Sequence, residues 1–282
     1  MKLRPTRLLV TLTAVCALAC VIYIGAVVLN RDATAPEIRF LSDTLAMSVH
    51  DGQEALLAGV TAVDDRDGDV TDSLLVQGVS SIRSDHTVKV TYAAFDRSGN
   101  VSKAVRTVQY TDYVSPRFSL TEPLVFTGNG AVNLLSKVTA TDLLDGDITD
   151  KIKGSLVGET TSLTDVGTHQ VELRVTNSMG DTSRITVPVE VVAAGTYNAA
   201  VALTENLVYV EKGTQFVPEA YLHSVICGGV VYSVQQLPQE ATVEVASDVK
   251  VGTCGVYAVD YKVSVDSFTG FARLIVVVEE NA

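Results

Sequence analysis

Aspartate is the residue with the most chemistry to offer in this chain, and it is clustered. Asp64, Asp65, Asp67 and Asp69 fall in one short stretch, and Asp142, Asp145 and Asp147 repeat the pattern about eighty residues later. Hard carboxylate oxygens at that density suit calcium, which takes about six to eight oxygen ligands. The spacing is not that of an EF-hand, because the DxDGxD order is incomplete and no Glu closes the loop at its twelfth position. The same side chains have a second use, since Asp accepts from backbone N–H groups where a chain reverses and an intervening glycine supplies positive φ. Two readings therefore stand side by side: calcium ligation by Asp64, Asp67, Asp69, Asp142, Asp145 and Asp147, and structural turns built around Gly68 and Gly146.

Other chemistries have less to draw on. His50, His86, His169 and His223 are scattered, without HExxH or paired-ligand spacing, so no zinc site is assigned. No GxSxG elbow, phosphate-cradling loop or GxGxxG is present, and Gly128-Asn129-Gly130 reads as a turn. The expectation is a protein without catalytic residues. Of the four cysteines, Cys16 and Cys20 lie in an apolar span, and Cys227 and Cys254 lie far downstream. A Cys227–Cys254 disulfide is expected; it would close a loop of about 27 residues and stabilise its module by roughly 3 kcal/mol in the chain-entropy view. Two free thiols are the alternative.

The elements that would position the aspartates are strands. An alternating apolar run (Leu57, Val60, Ala62; then Leu135, Val138, Ala140) leads into each acidic stretch, and a β-branched pair, Val70-Thr71 or Ile148-Thr149, leaves it. Further on, TVKVTYAA (Thr87 to Ala94) alternates with period two, turns at DRSGN (Asp96 to Asn100) and returns as VSKAVRTVQY. VGTHQVELRVT, the turn NSMGD (Asn177 to Asp181) and RITVPVEVV repeat that hairpin. A whole module recurs with a period of about eighty residues. A third unit follows AAGTYN. Its last hairpin fits the pattern, but YLHSVICGGVVYSV (Tyr221 to Val234) puts Cys227-Gly228-Gly229 where the others have aspartates.

VTAVDDRDGDVTD and FDRSGNVS after Pro36, and VTATDLLDGDITD with the strand VGTHQVELRV, resemble the bacterial Ig-like domain of the pesticidal crystal protein type, a module of bacterial surface proteins. The resemblance covers roughly residues 34–193 and implies β-sandwiches of Ig-like topology used in tandem outside the cell. These first two units contain no cysteine, and the chain has no tryptophan, which separates them from antibody-type domains.

At the N-terminus, Lys2, Arg4 and Arg7 precede Leu8 to Asn30, a stretch without a charged residue. It is long enough to cross a bilayer and longer than the apolar region of a cleaved signal. Processing near Ala17-Leu18-Ala19-Cys20 is the alternative. Basic residues before the span place the N-terminus in the cytoplasm and the body outside. A formal net charge of −12 with no basic stripe speaks against nucleic acid.

The fold class expected is all-β: tandem Ig-like sandwiches after a transmembrane helix. The expected divisions are 1–7 cytoplasmic tail, 8–30 helix, 34–112 and 113–194 Ig-like domains, and 197–280 a divergent third. The expected role is a membrane-anchored extracellular spacer or adhesion module with a protein or glycan ligand. An accessory subunit of an envelope enzyme or secretion complex and a calcium-dependent adhesin are the alternatives.

Overall fold

The computed structural model describes residues 5–29, 31–128, 132–158 and 162–280. Of the expected tail, residues 1–4 lie outside the described residues, as do Asn30 and residues 129 and 130 of the predicted Gly128–Gly130 turn. The helix spans Pro5–Leu29, starting three residues earlier than expected with Pro in its first turn, where a missing N–H costs nothing. Its window Leu9–Ala26 is long and apolar enough to cross a membrane, and none of that window is buried by the rest of the chain. Beyond it, the described residues contain strands and short 3-10 turns and no further α-helix. The chain divides into two compact units, Met1–Asp112 and Tyr113–Ala282.

In the first unit, the module after the helix is two facing sheets. One has the order Glu37–Phe40, Val60–Asp64, Gly68–Asp69, and the other Thr44–Met47, Val101–Tyr110, Thr87–Phe95, Leu75–Val79. Thr44–Met47 pairs parallel to Val101–Tyr110, and all other pairings are antiparallel. The alternation read from the sequence points inward as expected, with Val88, Val90 and Tyr92 fully buried. Two polar side chains are set into this core. Tyr92 Oη donates to the Leu56 carbonyl at 2.7 Å. Arg106, 3 % exposed, donates to the carbonyls of Ser42 and Ala58 at 2.8 and 2.7 Å and lies over the Phe40 ring.

The second module has the same topology strand for strand. Its sheets run Gly146–Asp147, Val138–Asp142, Arg117–Leu120 and Lys153–Val157, Gly167–Thr176, Thr182–Val192, Val125–Thr127, the last pair parallel. Its core is hydrocarbon at the matching places: Leu173 and Val187 stand where the first module has Tyr92 and Arg106.

The third module departs from both. Its seven strands form one sheet running Val230–Ser233, Leu222–Cys227, Ala199–Leu203, Phe268–Glu279, Gly255–Val265, Thr242–Ser247, and Leu207–Glu211 also pairs with Phe268–Glu279. The twelve-residue strand Phe268–Glu279 thus holds together what the other modules divide between two sheets. The third module has its own core around Val225, Tyr261, Leu274 and Val276. It is nevertheless not separate from the second module, because Leu207, Ile275 and Val277 belong to the second module's core with Phe118, Leu173 and Val187. At that junction the Phe118 N–H donates to Tyr209 Oη at 2.9 Å and Arg117 pairs with Glu279 while stacking on the Tyr209 ring. Burial pushes the Tyr209 phenol up to about 12.

The expected disulfide is not formed: Cys227 is a buried free thiol and Cys254 an exposed one. Geometry forbids the bond. Cys227 lies opposite Ala199, which is beside Gly270 and so at the Val263 end of the last hairpin. Cys254 precedes Gly255, at the other end. The eight intervening strand residues span roughly 26 Å at about 3.3 Å each, where a disulfide tolerates no more than about 7 Å between Cα atoms. The turn that replaces the acidic one is made by Gly228 and Gly229 alone, both at positive φ (54° and 85°), the two-residue hairpin that such glycines favour.

Candidate cation site

The acidic stretch of each module is one hairpin. Val63 and Asp64 pair with Asp69 and Gly68, and Thr141 and Asp142 with Asp147 and Gly146. Gly68 and Gly146 sit at φ 76° and 72°, as the turn reading requires. The first Asp of each braces the reversal: Asp64 Oδ1 accepts from the Arg66 and Asp67 N–H groups at 2.9 and 2.8 Å, and Asp142 Oδ1 from those of Leu144 and Asp145 at 2.9 and 3.0 Å. The last Asp holds the exit. Asp69 Oδ1 accepts from the Thr71 N–H and Asp147 Oδ1 from the Thr149 N–H, and those hydroxyls in turn accept from the Ala62 and Ala140 N–H groups.

The middle Asp ties this hairpin to the next one. Asp67 Oδ2 accepts from the Arg97 N–H at 2.7 Å. Asp145 accepts from the Ser178 N–H and hydroxyl and pairs with Lys151 at 2.8 Å. The lysine first, and then the serine, hold the Asp145 carboxyl below the usual carboxylate range.

Of the six predicted ligands, only Asp64 has a buried oxygen left without a donor. It lies in a group that the sequence did not assemble. Asp32, Asp64 and Asp96 each bring a carboxylate oxygen within 4.8 Å of the other two, and the residues are 7, 3 and 9 % exposed. Asp32 comes from the connector after the helix, Asp64 from the acidic turn and Asp96 from the following hairpin turn. Asp32 Oδ1 accepts from the N–H and hydroxyl of Thr34, both at 3.0 Å, while its Oδ2 is buried without a partner. Asp96 is capped by Asn100, whose N–H and Nδ2 donate to it at 2.7 and 2.6 Å. Burial works to raise the Asp96 pKa, but hydrogen bonds from the Asn100 side chain and from the Asn100, Gly99 and Ser98 backbone together outweigh it and bring the value below the ordinary one. Asn100 Nδ2 also lies 3.4 Å from the Asp32 carbonyl.

Asp67, Asp69, Asp142, Asp145 and Asp147 join no such group of three among the described residues. Asp32 and Asp96 were missed because they lie 32 residues to either side of Asp64. The available signal was that each precedes a strand start at a turn, four residues ahead of Pro36 and of Asn100 respectively.

At the matching corner of the second module the chemistry is different. Asn177 stands where Asp96 does, and its Nδ2 donates to Asp142 Oδ2 at 3.1 Å and to Tyr113 Oη at 2.8 Å. Tyr113 in turn donates to Asp181 Oδ2 at 2.8 Å. Burial first, and the Asp181 carboxylate second, push the Tyr113 phenol well above its ordinary value, so it remains a donor.

A separate cleft of about 420 Å³ lies within the second unit, lined by Thr168, Thr186, Tyr257 and Arg273 among others. Its guanidinium is already committed, bidentate to Asp260 at 2.6 and 2.8 Å and to Glu190 at 3.2 Å.

No family model matches the chain, and no curated protein matches it. Solved structures do. The chain is 11 % identical to the M60 catalytic domain with the CBM51-1 and CBM51-2 domains from Clostridium perfringens ZmpB, over 88 % of this chain and 31 % of that one, with a TM-score of 0.21. For the protocadherin GammaB4 extracellular domain the values are 9 %, 88 %, 51 % and 0.21. For human CDH23 EC21-23 they are 15 %, 86 %, 100 % and 0.23. The chain spans about a third and about half of the first two. Among the described residues, strand order and pairing establish the fold as tandem Ig-like β-modules after an apolar helix.

Proposed function

We propose that the chain is a single-pass membrane protein whose helix holds a row of extracellular Ig-like modules, and that these act as a non-catalytic spacer and binding body. The observation that carries this reading is the repetition itself: two modules of identical strand order follow directly after a helix with no charged residue between Leu8 and Leu29. A repeated sandwich with its polar groups spent on turns sets distance and presents edges. The motif resemblance to bacterial surface Ig-like domains supports the same placement, as do the basic residues ahead of the helix.

The ligand is a protein or glycan, taken at the divergent third module. There Val230–Ser233 is the outer strand of its sheet, with Val230 and Val231 51 and 61 % exposed. An unpaired edge with apolar side chains is the feature that strand-adding partners use. Protease shaving of intact cells tests the placement. Loss of the body with survival of a membrane-retained fragment of the helix is the expected result; complete protection of the body overturns it. Capture of surface components by the full chain, compared with a Val231→Lys variant, tests the edge, and equal capture by both removes that face from the account.

A further inference from the structure

We propose that the first module binds one calcium ion at the corner formed by Asp32, Asp64 and Asp96, and that the second module binds none. The inference deepens the reading above, which it needs only for where the ion would be met. Three buried carboxylates converge there, and the ion pairs Arg39–Glu37 and Arg97–Asp67 involve none of the three. Asp32 and Asp64 each spend Oδ1 on hydrogen bonds and leave Oδ2 buried and without a donor. Two orphaned carboxylate oxygens in one group are costly, and a bound cation resolves both together with the mutual repulsion.

The donor set selects the ion. The group offers hard carboxylate oxygens and contains no histidine or cysteine, which favours calcium or magnesium over zinc. Calcium accepts several carboxylates in a flexible shell at about 2.4 Å, whereas magnesium demands a tight octahedron at about 2.1 Å and keeps most of its waters, so a cluster of three protein carboxylates suits calcium better. The Asp32 carbonyl and Asn100 stand beside the group. A half-turn of the Asn100 amide exchanges its N and O and adds a neutral oxygen. In the second module, Asn177 already supplies Asp142 Oδ2 with a donor, so no orphan is left there. Because Asp32 belongs to the connector between Leu29 and the strand Glu37–Phe40, the ion would fasten that connector to two turns of the module.

The test is hydrogen exchange of the full chain in detergent, read by mass spectrometry in EDTA, in calcium and in magnesium. At calcium about ten times above its Kd, segments 31–35, 64–69 and 96–100 are expected to be about tenfold more protected, and segments 142–147 and 177–181 unchanged. Asp96→Asn copies the amide that the second module tolerates, so it is expected to fold, exchange no faster than the parent in EDTA, and lose the calcium response. No protection by calcium up to about 5 mM, above the range of weak extracellular sites, overturns the proposal. So does protection that survives Asp96→Asn, or that appears equally in the second module. Equal protection by magnesium overturns the choice of calcium. None of these outcomes depends on which side of a membrane the body lies, so this failure and that of the placement are told apart.

Discussion

The first and second modules use one scaffold to solve one problem in two ways. Their turns exchange residues: DRSGN has Asp first and Asn fifth, whereas NSMGD has Asn first and Asp fifth. In both, the fifth residue's N–H donates to the first residue's side chain, at 2.7 and 2.9 Å. The backbone does not register the exchange. The corner does, because in the first module it collects three carboxylates, and in the second the Asn177 amide donates both to the buried Asp142 carboxylate and to the Tyr113 phenol. A similar divergence runs through the core, where Tyr92 and Arg106 give way to Leu173 and Val187. Identical topology therefore fixes which positions meet and leaves open whether they are polar and how they are satisfied.

That comparison can be broken most sharply at Asn177. Asn177→Asp gives the second corner a further buried carboxylate in place of the donor to Asp142, and the expected loss is about 3 kcal/mol in EDTA, measured by chemical denaturation of the full chain. A loss below about 1 kcal/mol would mean that the two corners are interchangeable. Next in size is Arg106→Met, which leaves the Ser42 and Ala58 carbonyls without their donor and is expected to cost about 2 kcal/mol. Val187→Met, at the matching hydrocarbon site, is expected to cost about 1 kcal/mol through overpacking. Reversal of that order would refute the division between polar and apolar cores.

The acidic turns sharpen the comparison from the other side, since they are alike. Nothing lies within 4 Å of a Cβ added at Gly68 or Gly146, so Gly68→Val and Gly146→Val are opposed by positive φ alone. Each is expected to cost about 1–2 kcal/mol, and unequal shifts in melting would show that the turns differ after all.

The smallest effect is in acid. The folded-state pKa of Asp145 lies below the ordinary carboxylate value through Lys151 and Ser178. Its contribution to stability is therefore complete above the unfolded value, about pH 4, and is lost as pH falls through the folded one. Lys151→Ala should slightly reduce stability at pH 7, since solvent screens a partly exposed pair, and the difference should vanish toward pH 2. A difference independent of pH would assign the lysine a packing role.

Short-range patterns in this chain were readable because their physics is short-range. Alternation at Val88, Val90 and Tyr92 determines which face is buried, and an Asp two or three residues from an N–H group reaches it whatever the rest of the fold does. The turn geometry at Gly68 and Gly146 and the strand-for-strand repeat follow from such patterns. The cation corner does not, because Asp32, Asp64 and Asp96 meet only once the sheets have stacked, and nothing local marks Asp32 as buried. The same holds for the cysteines: compartment and loop length favoured a bridge, but register in the last hairpin decided against it. The joint core of the second and third modules was also hidden, since Ile275 and Val277 fit a strand pattern equally well whichever neighbour they face.

One consequence follows from the parallel pairings. In every module a strand near the start lies parallel to the last strand, through four residue pairs in the first (Thr44–Met47), three in the second (Val125–Thr127) and five in the third (Leu207–Glu211). Pulling such a module by its two termini slides these strands past each other, so their hydrogen bonds resist in shear and rupture together instead of opening singly. Under tension the second module, with the fewest pairs, is the one whose terminal seam gives way first.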